Sequence, residues 1–173
     1  EFSDTGSSTL TIGGITARSE AQANNDDTTT PVFVIQDASG EVLRFEGEPS
    51  FFSFLPASMR LANIDPSTPE PELIASSYTG GAHCCDRIQI AALSPDGTWQ
   101  VHELGLFDGG YALEDADEDG FGELRVADQS FLYTFDCYAC SFPPPRFFTV
   151  LNGVPLDVSN DPDLYATYQL SLI

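Results

Sequence analysis

The sequence predicts an all-β protein built from repeated antiparallel units. Thirteen Phe, six Tyr, fourteen Gly and twelve Pro among 173 residues favour strands joined by tight turns. No stretch of fifteen residues has the periodicity of an amphipathic helix. In addition, a strand, turn and strand pattern occurs three times along the chain, which indicates an internal repeat.

The first part of the chain differs in composition from the rest. Residues 1–30 are mostly polar, and we expect them to form a flexible N-terminal arm in front of a single all-β repeat domain at residues 31–173. Within this arm, Thr9–Ile12 alternates polar and apolar residues as a short strand does. We expect this strand either to extend the sheet of its own domain or to be donated to a neighbouring molecule.

Three predicted hairpins carry the internal repeat. They lie at residues 32–45, 87–104 and 146–158. Their turns contain Gly40, Gly97 and Gly153, which follow one another at intervals of 57 and 56 residues. Because each turn glycine separates two runs of β-forming residues, the regular interval predicts one supersecondary unit repeated along the chain.

The segment at residues 113–124 has the residue spacing of a calcium-binding loop. Three aspartates occupy alternate positions, a glycine follows at once, and a glutamate comes three residues later. Calcium binds six to eight hard oxygen atoms, and such loops need a glycine at the sharp turn. The predicted ligands are the carboxylates of Asp115, Asp117, Asp119 and Glu123 and the backbone carbonyl of Phe121, with Asp108 or Glu114 as additional nearby donors. The alternative interpretation is an acidic surface turn that binds nothing.

An EF-hand does not account for this loop, because its twelfth position is Val126 in a predicted strand where an EF-hand has a bidentate Glu. The segment resembles instead the D-x-D-x-D-G-x-x-(D/E)-L loop of the FG-GAP/VCBS repeats, the calcium-binding blades of integrin-alpha-type β-propellers. It departs from that pattern at Glu123, where Asp is more usual, and at Gly122, where Lys or Pro is common.

The resemblance extends over about residues 60–158 and implies a specific architecture. It implies two to three propeller-blade-like antiparallel repeats. Because closed propellers have four to eight blades, so few blades imply an incomplete propeller or an open twisted sheet. We therefore expect open sheet edges that pack on the chain itself or on neighbouring subunits.

A second, weaker copy of the calcium-type loop aligns with the first at an offset of 52 residues. Its matching oxygen donors are Asn63, Asp65, Ser67 and Glu72. Three prolines stiffen this loop, and it lacks the turn glycine. We expect a weak or empty site here, with its shape maintained by proline rather than by a metal ion.

Four cysteines predict two disulfides. They are Cys84, Cys85, Cys137 and Cys140, and the sequence leaves all three pairings open. The alternative is a zinc or copper site formed by the four thiols and His83. A redox-active C-x-x-C centre is less consistent with the sequence, because it requires a βαβ context that is missing here.

Charge limits the classes of partner. The 27 acidic and six basic residues give a net charge of −21, which excludes nucleic acid as a partner because phosphate binding needs clustered Lys and Arg. No apolar run is long enough for a transmembrane segment. An acidic, lysine-free chain with four cysteines that begins without Met is typical of a processed protein, secreted or periplasmic.

These observations predict an exported, calcium-stabilised and disulfide-stapled module that acts through its surface in binding or assembly. It is not expected to be an enzyme, because no G-x-S-x-G or H-E-x-x-H motif is present. The alternatives are a metal-handling or enzymatic domain centred on His83 and a structural subunit of an extracellular polymer. A protein partner or self-association into a homo-oligomer is expected through open sheet edges, with Thr9–Ile12 and Tyr165–Ile173 as candidate added strands. The alternative is that both segments complete the sheet of their own chain.

Overall fold

The computed structural model describes residues 8–51, 57–81, 84–135 and 137–164. Within these ranges the chain is all-β, as predicted, with twelve strands and three short 3-10 turns. The 3-10 turns lie at Gln129–Phe131, Tyr138–Cys140 and Pro162–Leu164. In the described residues no helix is long and apolar enough to cross a membrane.

The strands form three four-stranded antiparallel sheets, each made of consecutive strands. Sheet 1 contains β1 (Thr9–Ile12), β2 (Ile15–Ala23), β3 (Thr29–Asp37) and β4 (Gly40–Glu46). Sheet 2 contains β5 (Ala57–Ala62), β6 (Glu72–Tyr78), β7 (Asp86–Leu93) and β8 (Trp99–Phe107). Sheet 3 contains β9 (Ala112–Glu114), β10 (Glu123–Ala127), β11 (Pro145–Leu151) and β12 (Val154–Asp157). No sheet closes into a barrel.

The three predicted hairpins are the last two strands of each sheet. The strand pairs β3–β4, β7–β8 and β11–β12 are antiparallel, and their turns contain the three repeated glycines. The predicted repeat is therefore confirmed as three successive four-stranded meanders. Whether these meanders are propeller blades stays a prediction.

Sheet 2 provides apolar side chains to two separate cores. Leu73 and Ala75 of β6 pack in a cluster with Phe33 of sheet 1. Ile74, between them in the sequence, packs with Leu124 of sheet 3 in the other cluster. Because successive side chains of a strand point to opposite faces, the continuous apolar run in β6 is explained by burial on both faces.

Residues 9–30, expected to belong to a polar arm, form β1, β2 and the start of β3. Along β2 the residues that face the core are Ile15, Ala17 and Ser19, so small side chains fill most of the buried positions. The polar side chains between them lie on the other face, where Arg18 contacts Glu20 and Glu41. The polar composition of this segment therefore reflects a half-exposed strand.

The strand Thr9–Ile12 pairs with Ile15–Arg18 of its own chain. This corresponds to the first of the two expectations, in which it extends its own sheet. The second predicted strand for assembly, Tyr165–Ile173, lies outside the described residues, as does His83.

Candidate metal centre

The loop predicted to bind calcium connects two short strands at the edge of sheet 3. Strand β9 pairs with β10 in antiparallel register, and Glu114 lies opposite Glu123. This pairing closes the base of the loop and brings Asp115 close to Glu123. Between them the backbone turns at Glu118 and Gly120, both of which have positive φ, 64° and 93°. Glycine adopts this conformation at little cost, which explains its position in the motif.

Three of the predicted ligands meet in this loop. One carboxylate oxygen each of Asp115, Asp117 and Glu123 lies within 4.8 Å of the other two. Calcium binds oxygen at about 2.3–2.6 Å, so two oxygens on one ion are separated by at most about 5 Å. The spacing of the three oxygens therefore fits a single calcium ion.

The electrostatics of the cluster also favour a cation. Glu123 is only 4% exposed. Burial, together with the charges of Asp117, Asp119 and Asp115, raises its pKa to about 7, although the Ala116 N–H donates a hydrogen bond to Oε2 at 2.8 Å. Burial and the neighbouring aspartates also raise the pKa of Asp117. A divalent cation would offset this mutual repulsion.

Not every predicted donor joins the cluster. Asp119 Oδ1 accepts a hydrogen bond from the Phe121 N–H at 2.8 Å, and its carboxylate is not part of the group of three. Glu114 pairs with Arg125 at 2.7 Å, and Asp108 accepts a hydrogen bond from the Tyr138 hydroxyl. These three carboxylates therefore lie outside the group of three, and their role as calcium ligands stays a prediction. The carbonyl of Phe121 stays a predicted ligand.

In the second loop three of the predicted donors, Asp65, Ser67 and Glu72, bind protein groups. Asp65 Oδ1 accepts hydrogen bonds from the backbone and side chain of Ser67 at 2.8 and 2.5 Å, and Asp65 Oδ2 accepts one from the Gly153 N–H at 2.6 Å. Glu72 Oε2 accepts hydrogen bonds from the backbone of Ile64 and Asp65 at 2.8 and 3.1 Å. These carboxylates organise the loop and attach it to the turn between β11 and β12.

The two loops also contact each other. The Gly122 N–H donates a hydrogen bond to the Asn63 carbonyl at 3.1 Å. A Cβ atom at Gly122 would lie 3.0 Å from Leu113 Cδ1, so this position favours glycine. The hydrogen bond requires a backbone N–H at position 122, which proline lacks. It also shows that the backbone carbonyl of Asn63 accepts a hydrogen bond from the neighbouring loop.

The cysteines form two disulfides, Cys84–Cys85 and Cys137–Cys140. Each lies in the connection between the second and third strands of its sheet. Gln129, in the second of these connections, lies against the first disulfide, with its Oε1 3.7 Å from Cys84 Sγ and 3.6 Å from Cys85 Sγ. No cysteine is free, so none is a thiolate ligand for zinc or copper. The predicted alternative of a metal site formed by the four thiols and His83 therefore lacks its sulfur donors.

Comparison with known proteins places few constraints on function. No protein-family model and no solved structure matches the chain significantly. The chain is similar to a probable thylakoid lumen protein of Synechocystis sp., with 36% identity over 108 residues, which are 61% of this chain and 32% of that protein. It is also similar to an uncharacterized protein of Sinorhizobium fredii, with 41% identity over 104 residues, 60% of this chain and 16% of that protein. The matched region thus spans a third or less of each relative.

Proposed function

We propose that this chain is a calcium-stabilised binding module of an extracytoplasmic compartment. The observation that carries the proposal is the cluster of Asp115, Asp117 and Glu123, whose oxygens have the separation required for one calcium ion. Carboxylates are hard ligands that suit Ca²⁺ better than soft metals. Asp115 is exposed, so water could complete the coordination shell.

The compartment is inferred from two independent observations. Disulfides form and persist in oxidising compartments, and both cysteine pairs are bonded. One relative is described as a probable thylakoid lumen protein. Both support a lumenal, periplasmic or extracellular location.

The three meanders support a blade-like arrangement with open sheet edges. Each sheet consists of consecutive antiparallel strands, and adjacent sheets pack face to face through the two cores. This is the organisation that the resemblance to FG-GAP/VCBS repeats implies. In such an arrangement the long connections between strands present a surface to a partner, and we propose binding rather than catalysis.

The test is thermal unfolding of the full chain in excess EGTA and in millimolar CaCl₂. Calcium at about a hundred times its Kd stabilises the folded state by about 2.7 kcal/mol, which raises the Tm of a protein of this size by about 5 to 10 °C. Asp117→Asn should abolish this increase. Asp96→Asn is the matched control, because Asp96 accepts a similar turn hydrogen bond, from the Thr98 N–H at 3.0 Å, outside the cluster.

Two outcomes would contradict the proposal. One is a wild-type Tm that is the same in EGTA and in calcium. The other is an equal calcium response in wild type and Asp117→Asn, which would assign the effect to general screening of the acidic surface.

A further inference from the structure

The connection between β10 and β11 differs from the other connections of the molecule in length and exposure. It runs from Asp128 to Pro144, and we call it the aromatic loop. Connections of this length are uncommon in compact domains and often serve binding, and the described part of this one contains only two short 3-10 turns. The equivalent connection of sheet 1 spans only residues 24–28.

The aromatic loop exposes several large rings to solvent. Phe142 is 92% exposed, Phe135 82% and Tyr133 70%. Phe131 lies against Phe135 with ring centroids 6.0 Å apart, and Tyr133 lies 5.6 Å from Tyr138. Soluble proteins rarely expose a contiguous group of aromatic side chains unless it is an interaction site.

The backbone that carries the rings is held by contacts within the loop. Asp128 Oδ1 accepts hydrogen bonds from the N–H and hydroxyl of Ser130 at 3.1 and 2.7 Å. The disulfide Cys137–Cys140 closes the second half of the loop, and Ser141 Oγ donates to the Cys137 carbonyl at 3.0 Å. Ordering the loop backbone in advance reduces the conformational entropy that a partner would have to offset on binding.

A cavity of about 470 Å³ adjoins the aromatic loop. Its walls include Phe142, Pro143, Tyr111 and Asp108. Arg125 also lines the cavity but is paired with Glu114. The volume is in the range of pockets that enclose a ligand group, and the apolar wall suits an aliphatic or aromatic anchor.

The charge of the chain defines the chemistry of the partner. The sequence has no Lys, and its six arginines already contact partners outside the aromatic loop. Arg18 and Arg44 contact Glu20 and Glu41, Arg60 lies over the Tyr111 ring, Arg87 pairs with Glu103, Arg125 with Glu114, and Arg146 with Asp157. None of the six arginines, all of which lie in the described part of the chain, therefore covers the exposed rings.

Aromatic faces attract Arg and Lys side chains, and Arg146 lies 4.9 Å from the Phe148 ring in this protein. With a net charge of −21, a second copy of the chain and an anionic membrane are both repelled. We propose that the aromatic loop and its adjoining cavity dock a positively charged protein segment, with basic side chains on the rings and one apolar side chain in the cavity. This docking surface rests on the binding role proposed above, and its binding to the basic segment does not depend on calcium.

The probe is a fluorescently labelled peptide of alternating Arg and Leu, with a Glu and Leu peptide of equal length as its control. Binding to the full chain is measured by anisotropy at physiological salt, in EGTA and in calcium. The double variant Phe135→Ser, Phe142→Ser keeps the charge and removes two rings. We expect it to bind the basic peptide at least about tenfold more weakly.

The matched control is Leu151→Ser, Leu156→Ser, which replaces two exposed apolar residues on β11 and β12. It should bind like the wild type. Hydrogen exchange of the wild type should show protection by the peptide within residues 128–144, a readout that does not depend on any variant.

Three results would overturn the proposal. In the first, the ring variant binds the basic peptide as tightly as the wild type, so net charge alone drives binding. In the second, peptide protection falls outside residues 128–144. In the third, the rings are protected by zwitterionic lipid vesicles and not by the peptide. Equal binding of the basic peptide by the wild type in EGTA and in calcium would support a docking surface that is independent of the metal site.

Discussion

Replacing Asp65 should detach the second loop from the turn between β11 and β12. Asp65 is fully buried, and its two oxygens accept hydrogen bonds from Gly153 and from the backbone and side chain of Ser67. Burial opposes ionisation, but these hydrogen bonds hold the pKa of Asp65 below its ordinary value. The carboxylate is therefore charged in the folded protein, and it joins sheet 2 to sheet 3.

The expected loss follows from the groups left without a partner. Asp65→Ala removes an ionised acceptor from three donors and leaves the buried Gly153 N–H unsatisfied. Hydrogen bonds to a charged group are worth about 1.5–3 kcal/mol each, and an unpaired buried donor costs about 1–3 kcal/mol. Because these contributions overlap, we expect a total loss of about 3–5 kcal/mol in the free energy of unfolding.

The assay is urea unfolding of wild type, Asp65→Ala and Asp96→Ala in EGTA and in calcium. Asp96 is exposed and accepts a hydrogen bond only from Thr98 in its turn, so its replacement should cost about 0.5 kcal/mol or less. The loss for Asp65→Ala should be the same in both solutions, because its oxygens bind protein groups. A loss below about 1 kcal/mol, or one that appears only in calcium, would refute the reasoning.

Three further predictions concern the same framework. Burial raises the pKa of Glu72 from 4.5 to about 7 in the folded protein, so the folded state binds its proton more tightly than the unfolded state. As pH rises from about 4.5 to about 7, the free energy of unfolding of the wild type should therefore fall by up to about 3 kcal/mol relative to that of Glu72→Gln. A difference between the two proteins in urea unfolding that does not change over this pH range would contradict the prediction. A Cβ atom at Gly153 would lie 2.7 Å from the backbone oxygen of Leu93 at the end of β7, so Gly153→Ala should lose about 1–3 kcal/mol more than Gly97→Ala, which has a similar φ (81° against 76°) and open surroundings; equal losses would exclude the clash. Joint replacement of Cys137 and Cys140 by Ser removes a very short covalent loop and should cost about 2 kcal/mol in urea unfolding, whereas complete unfolding would give that disulfide a larger structural role.

Local signals in the sequence were sufficient for the hairpins. The turn at Asn152 and Gly153 separates two runs of β-forming residues, and both central residues have positive φ as such tight turns require. In β2, by contrast, the buried positions are filled by residues such as Ala17 and Ser19, which carry almost no hydrophobic signal. Composition alone therefore indicated an arm where the structure has a strand.

The candidate site shows the same division between local and distant information. Alternation of aspartates located the loop, but spacing does not determine which carboxylates point inward. Asp115 and Asp117 join Glu123, whereas Asp119 caps the backbone at Phe121. The contact between Asp65 and Gly153 joins residues 88 positions apart, so no local pattern predicts it.

The central claim is that one calcium ion binds at the loop between β9 and β10. Equilibrium dialysis of the full chain against radioactive calcium measures this directly, with Asp115→Asn, Asp117→Asn as the site variant and Asp96→Asn as its control. We expect one calcium ion per chain in the wild type and in the control, and none in the site variant. Failure of the wild type to bind calcium at millimolar concentration, or unchanged stoichiometry in the site variant, would contradict the claim.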